Sequence, residues 1–306
     1  MRLTLGSRGS RLALAQTELV AERLRARGVE IHVSLITTTG DRLADVALAD
    51  FGGKALFVKE IEEALLQRRV DAAVHSLKDM PALLPDGLAL VAYAPRADPR
   101  DVLVTRDGAG LDDLPPGARV GTSSLRRRAL LLHRRPDVRA EPIRGNVDTR
   151  LRKLAEGQYE AIILAQAGLD RLGARPSHAQ TLPAEEFLPA VGQGILGIEA
   201  RVAEGAVLEV LGAVDDTGTR MAALAERAFL ERLGAGCHTP VAGHARLEGA
   251  TLHLDGLVAS PDGKTMVRGR TQGASAQAAA LGRALAEDLL SRGAAELLDA
   301  SRGGPA

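Results

Sequence analysis

At 306 residues with 45% hydrophobic and 25% charged content, the chain is too long for one small core, and two or three domains are expected. Its 39 basic and 39 acidic residues cancel, which excludes a global basic field for nucleic acid or anionic lipid; aromatics at 2%, with no Trp, leave little on which to stack bases. One Cys excludes an internal disulfide and a multi-cysteine zinc site, and without H-E-x-x-H no metal is expected. No apolar run of about 18 residues and no signal-like N-terminus is present, so a cytoplasmic chain that does not engage a membrane is expected.

Leu3-Thr4-Leu5 predicts a short strand, followed by the turn Gly6-Ser7-Arg8-Gly9-Ser10 and a helix over Arg11–Arg27 that Gly28 stops. Ser10 is a suitable N-cap, and free backbone N–H groups at such a strand-turn-helix junction attract anions, with Arg8 able to add a guanidinium fork. Ile31–Thr37 predicts a second strand. Residues 38–54 read as a loop with a glycine hinge at Gly52-Gly53, a candidate lid, and Val58–Arg69 has helical spacing. Val70–Val74 is a compact apolar strand that ends in His75-Ser76-Leu77-Lys78-Asp79-Met80-Pro81. Ligands of α/β folds bind at the carboxyl ends of strands, so Lys78 and Asp79 are candidate site residues, Asp79 kept ionised by its neighbour; His75 reads as structural.

Strands are expected at Leu88–Tyr93 and Val102–Thr105, with Pro95–Asp101 as a crossover hinge between two lobes. Arg119–Arg128 repeats the opening arrangement: strand, Gly121-Thr122 turn with Ser123 and Ser124, and a helix start bearing Arg126 and Arg127. Pro142–Arg150 is a further basic turn, with Arg144, Gly145 and Arg150, before a helix over Thr149–Glu156, and Glu160–Ala165 is a buried strand. Arg126, Arg127, Arg144 and Arg150 thus fall on one rim, interrupted only by Asp148, which suits a ligand with several carboxylates or phosphates. Gly192-Gln193-Gly194-Ile195-Leu196-Gly197 matches G-x-G-x-x-G formally. Pro189 stands where a strand should lead in and Ile195–Ala200 reads as a strand, so the dinucleotide meaning is rejected in favour of a return crossing with the Gln193 amide facing the cleft.

Thr219–Leu233 predicts an amphipathic helix capped by Thr217 or Thr219. It leads into Gly234-Ala235-Gly236-Cys237-His238, where the one thiol is either buried filling or a nucleophile or covalent anchor on an accessible loop. Three antiparallel strands (Val241–Leu247, Thr251–Ala259, Thr265–Arg270) and a closing helix from a Ser275 cap to Leu290 make a small α+β domain.

His75-Ser-Leu-Lys78-Asp79-Met-Pro81, Gly121-Thr-Ser-Ser-Leu-Arg126-Arg127, Arg144-Gly-Asn146, Val191-Gly-Gln193-Gly194 and Gly236-Cys237, in that order, resemble the porphobilinogen deaminase (hydroxymethylbilane synthase) family. The resemblance implies an α/β fold with two periplasmic-binding-protein-like (type II) lobes facing a cleft, plus a small α+β domain with a three-stranded antiparallel sheet. Expected limits are 1–94 with 195–212, 100–190, and 217–306. It further implies a dipyrromethane cofactor joined by a thioether to Cys237, and a transferase that adds four porphobilinogen units head to tail, with loss of ammonia, to release linear hydroxymethylbilane. Partners would be porphobilinogen and the growing polypyrrole only, and the chain a monomer. By the same resemblance Asp79 is catalytic, stabilising the cation left on the incoming ring. Lys78, Asp79 (in addition to its catalytic role), Thr122, Ser124, Arg126, Arg127, Arg144 and Gly145 hold the cofactor, and Arg8, Ser10, Phe57, Arg144, Arg150 and Gln193 the substrate. Asp50, Ala55 and His238 depart from the residues relatives often carry. The rival is a two-lobed solute-binding protein without catalysis, for which a third domain with a thiol would be unneeded.

Overall fold

The computed structural model describes residues 1–38, 55–236 and 239–303, with backbone alone at 55–57 and 301–303. β1 (Arg2–Ser7) buries Leu3 and Leu5, and α1 (Arg11–Arg25) follows with the Ala13 amide donating to Ser10 Oγ, the expected cap. β2 (Glu30–Leu35) pairs parallel to β1. α2 (Ala55–Leu66) leads to β3 (Ala72–Ser76), parallel to β1 on its other side. The helix expected over 58–69 thus begins and ends three residues early, and Arg68 beyond it takes φ +58°, a left-handed value that no helix continues. β4 (Leu88–Tyr93) completes this part of the chain.

The next segment repeats the pattern: β5 (Asp101–Thr105), β6 (Arg119–Gly121), α3 (Leu125–Arg134), β7 (Arg139–Glu141), α4 (Val147–Ala155), β8 (Ala161–Ala165), α5 (Gln166–Leu172) and β9 (Ala179–Thr181). β10 (Leu196–Arg201) then returns to the first sheet. The two five-stranded sheets have matching orders, β2-β1-β3-β10-β4 and β7-β6-β8-β5-β9. In each, three parallel strands are followed by one antiparallel strand that arrives from the other half, β10 in the first and β5 in the second. Both inserted strands are buried along their whole length, which is why they read as near-continuous apolar runs.

The registers fix how the sheets face. Leu196, at the start of β10, lies opposite Ser76 at the carboxyl end of β3; Asp101, at the start of β5, lies opposite Ala165 at the carboxyl end of β8. Both crossings therefore leave and enter at carboxyl edges, and those edges share one region. The crossings also touch one another. A Cβ on Gly194 (φ +87°) would lie 2.4 Å from the Ala97 carbonyl oxygen, and one on Gly192 (φ +73°) 2.8–2.9 Å from Leu77 Cγ and the Lys78 amide nitrogen. These glycines serve backbone contact at the return crossing, consistent with rejection of a dinucleotide loop.

α6 (Gly205–Leu211) packs Val207 and Leu211 into the first core. The third part is α7 (Thr217–Arg232), an antiparallel sheet of β11 (Val241–Glu248), β12 (Thr251–Ala259) and β13 (Met266–Ala274), then α8 (Ala278–Leu289) and α9 (Ala295–Gly303). Two capping expectations are corrected. Asp216, not Thr217 or Thr219, caps α7 by accepting from the Thr219 amide at 2.8 Å, because a carboxylate one residue upstream meets the free N–H. Ser275 begins a short 3-10 turn and makes no side-chain cap, and the closing helix breaks at Arg292 and Gly293 (φ +97°) before α9.

The third sheet has a core within its own part of the chain and shares a second one with the second sheet. Its Ala242, Leu257 and Ala259 join the second sheet's Leu103, Val120, Ile163 and Phe187 in one apolar cluster, while Phe229, Leu254 and Leu285 form another beneath α8. Glu226 on α7, fully buried, binds both crossings and the third sheet: Arg96 Nη1 at 2.5 Å, the Gly192 amide at 2.6 Å and the Ala245 amide of β11 at 2.7 Å. Arg96 in turn donates to the Gln193 carbonyl at 2.9 Å. Removing one partner of such a buried pair leaves a stranded charge, so Glu226→Gln is expected to lower stability by about 3 kcal/mol in urea unfolding with an unchanged m-value.

Candidate active site

The carboxyl ends of the parallel strands supply the predicted residues. After β1, Arg8 and Ser10 sit in the turn that opens α1, both partly buried. After β3, a single 3-10 turn (Leu77–Asp79) carries Lys78 and Asp79, its start held by the Leu77 amide on the Ile195 carbonyl across the return crossing. After β6, the Ser124 amide donates to Thr122 Oγ1 at 3.2 Å and the Arg127 amide to Ser124 Oγ at 3.4 Å, which caps α3. Since both hydroxyls act as acceptors in these bonds, their own protons remain to be donated to an acid. After β7, Asn146 caps α4, and Arg150 Nε returns to the Gly145 carbonyl at 2.9 Å, fixing the turn that bears Arg144.

Charge brings these turns together. Burial lowers the pKa of Lys78 to about 8; Asp79 opposes the shift, Arg127 and Arg126 add to it, and Asp101 opposes it. Lys78 nonetheless keeps part of its surface open. Burial also lowers the pKa of Arg150, with Arg127 adding to the shift and Asp79 countering it. Lys78 and Asp79 of the first sheet thus share one electrostatic field with Arg126, Arg127 and Arg150 of the second. Arg11 at the start of α1 reaches across to Asp148 at the start of α4 at 2.8 Å, which gives the acidic interruption of the basic rim a partner from the other half.

Two expectations change in detail. Arg126 and Arg127 are not open forks: they are 4% and 6% exposed and converge on Asp101, which is fully buried. Arg126 Nη1 lies 2.8 Å from Asp101 Oδ2. Arg127 meets Oδ1 through Nη2 at 2.8 Å and Nε at 3.1 Å, and gives Nη1 to the Ile163 carbonyl. Two guanidinium groups in this setting need an anion, and burial alone would raise the Asp101 pKa; the arginines overcome that and hold the carboxyl well below the usual carboxylate range. Gln193 does not offer its amide nitrogen to the cleft. It is 1% exposed and donates to the Pro99 carbonyl at 2.6 Å and to Asp101 Oδ1 at 2.8 Å, because the return crossing runs against the forward one.

Asp101 and Glu226 were missed from the sequence. A carboxylate opening the apolar run Asp101-Val-Leu-Val-Thr105 was the available signal for the first. The same signal marks Glu199 in Leu196-Gly-Ile-Glu-Ala200, which is fully buried 3.0 Å from His75 Nε2 and supplies the structural partner expected for that histidine. Phe57 lies in the first turn of α2. Cys237, His238 and the lid with Asp50 and Lys54 lie outside the described residues. The flanks of the cysteine are joined, Thr239 Oγ1 donating to the Gly236 carbonyl at 2.6 Å. Among the described residues no helix is long and apolar enough to cross a membrane.

The donor set suits a molecule bearing several carboxylates: cations from both sheets, two hydroxyls with protons to give, and capped helix starts at 10, 124 and 146. Among solved structures, the chain is similar to a Salmonella typhimurium periplasmic binding protein of high arginine specificity (16% identity, TM-score 0.39, covering 72% of this chain and 93% of that one). It is also similar to an Enterococcus faecalis lipoprotein (14%, 0.42, 69% and 89%). Residues 3–209 match the family model "Porphobilinogen deaminase, dipyromethane cofactor binding domain" and residues 221–291 match "Porphobilinogen deaminase, C-terminal domain". Porphobilinogen deaminase of Syntrophobacter fumaroxidans is 50% identical over 299 residues, 97% of either chain, and that of Roseiflexus castenholzii 51% identical over 298 residues, 97% of this chain and 98% of the other. On these matches across nearly its whole length, the chain belongs to the porphobilinogen deaminase family.

Proposed function

We propose that the chain is a hydroxymethylbilane-forming transferase that joins four porphobilinogen molecules head to tail, expelling one ammonia per unit, on a dipyrromethane primer held by a thioether to Cys237. The observation that carries this is the convergence of Lys78, Arg126, Arg127 and Arg150 around Asp79 and Asp101 at the facing carboxyl edges of both sheets. Each pyrrole unit carries an acetate and a propionate, so a growing chain gains negative charge with every addition, and a region with more cations than carboxylates suits it. We assign residues 1–94 with 195–212 and residues 100–190 to two lobes flanking this region, and 217–306 to a third domain that delivers the cysteine loop. The chain acts as a cytoplasmic monomer.

When bound, the dipyrromethane supplies the pyrrole carbon to which the first incoming ring is joined. Lys78, Arg126, Arg127 and Arg144 hold its acid side chains, with Thr122 and Ser124 donating O–H bonds and the Gly145 turn fixing Arg144. Arg8, Ser10, Arg150 and Arg144 orient the acids of the incoming porphobilinogen, Phe57 packs near its ring, and Gln193 acts through the crossing it anchors. The Asp79 carboxylate accepts the ring N–H of that molecule. It stabilises the positive charge that grows as the aminomethyl C–N bond breaks, and an Asp79 Oδ takes the proton released when the new C–C bond forms.

Three outcomes are expected. Mass spectrometry of the active chain finds an adduct of dipyrromethane size on Cys237; active chain with an unmodified thiol rejects the mechanism. Asp79→Asn lowers turnover by about 10²–10⁴-fold while the adduct stays in place, and near-normal turnover removes the assigned role. Lys78 of the empty chain loses its proton as pH rises through about 8, whereas an anionic ligand favours the charged form. Uptake of porphobilinogen by empty chain, followed as mass gain, therefore weakens above that pH by up to about tenfold per unit. Lys78→Arg, charged throughout, loses this break; a break that persists in the variant assigns it to another group.

A further inference from the structure

The buried carboxylate at the head of β5 belongs to no assigned role, yet it ties three separate elements together. Arg126 and Arg127 come from the first turn of α3, and Gln193 from the return crossing, while Asp101 itself ends the forward crossing. Without it, two guanidinium groups would sit side by side with no anion in a place where solvent reaches them little. Arg127 directs three of its five N–H donors at Asp101 and the Ile163 carbonyl and keeps 8% of its side chain open. Arg126 adds a buried Nε that has no hydrogen-bond partner.

We propose that Asp101 is a positioning residue for anion binding, its carboxylate holding the Arg126 and Arg127 guanidinium groups together while the site is empty and the Gln193 amide tying that arrangement to the return crossing. The proposal depends on ligand acids docking against this pair, as set out above. Asp101 cancels part of the local positive charge before any ligand arrives, so the pair is ordered without being silenced: two cations against one carboxylate still leave a net attraction. It also sets the field at Lys78, whose ammonium it favours.

The test uses full-length chain purified without exposure to porphobilinogen, as wild type and as Asp101→Asn. Phenylglyoxal labelling read by peptide mass spectrometry reports the freedom of each arginine, and the pH midpoint of Lys78 acetylation reports the field. In Asp101→Asn, with an unchanged circular dichroism spectrum, labelling of Arg126 and Arg127 should rise by about tenfold, as expected when charge-assisted hydrogen bonds are lost. The Lys78 midpoint should move to lower pH, which a general loosening of the fold would not produce. Unchanged labelling together with an unchanged midpoint overturns the proposal. Should Asp101→Asn fail to fold, Asp101→Glu keeps the charge and displaces it by one methylene: increased labelling then supports the role, and wild-type labelling refutes it. Exposure of the same wild-type sample to porphobilinogen tests the parent function separately. A bare Cys237 alongside the labelling change would remove the function and leave Asp101 as the organiser of the pair.

Discussion

A carboxylate without solvent, facing two guanidinium groups, organises the middle of this molecule. Asp101 stands where the chain first enters the second sheet, and its partners come from the helix that opens over that sheet and from the strand connection that leaves it. Buried charge of this kind is costly unless it is paired, so the position of each element is constrained by the others. The chain path, the placement of the arginine pair and the approach of the two crossings are therefore one structural fact. Gly192 and Gly194 belong to it, since a side chain at Gly194 would hold the crossings apart and one at Gly192 would push the return crossing off the Leu77–Lys78 turn.

From this constraint the electrostatics of the cleft follow. The matching strand orders put the carboxyl edges of both sheets in the same region, and each edge presents helix starts and short turns. Cations arrive from both halves, and burial weakens the hold of Lys78 on its proton. A ligand bearing carboxylates relieves that strain on charge, whereas a neutral one does not. Selectivity for acid-bearing pyrroles then needs no single dedicated pocket, only a field to which several turns contribute.

The third sheet joins this arrangement through two different kinds of contact. Toward the second sheet it shares an apolar cluster, and toward the crossings it offers Glu226, whose oxygens accept from Arg96, Gly192 and Ala245. α7 also donates from Arg227 to the Pro81 and Ala82 carbonyls, just beyond the turn that bears Asp79. The helix that leads to the cysteine loop is thus braced against the segment that follows Asp79 and against both connections at once.

Local order in this chain was legible before any fold was known. Hydrophobic alternation, glycine stops and hydroxyl caps marked β1, α1, β6 and the antiparallel strands of the third part, and the recurrence of Gly6-Ser7 as Gly121-Thr122 pointed to two similar halves. The ordered set of short motifs carried the family, three of them running on from the carboxyl ends of β3, β6 and β7. Capping details and helix ends failed where one residue's shift is decided by packing, as at Asp216 and at the break before α9. What tertiary structure alone decided was pairing. Asp101 lies 25 residues from Arg126 and 92 from Gln193, Glu226 lies 130 from Arg96, and nothing in local spacing links them. Ion pairs are chosen by which groups folding removes from water together, and that choice turned two arginines read as free ligand forks into a pair already organised by the protein's own carboxylate.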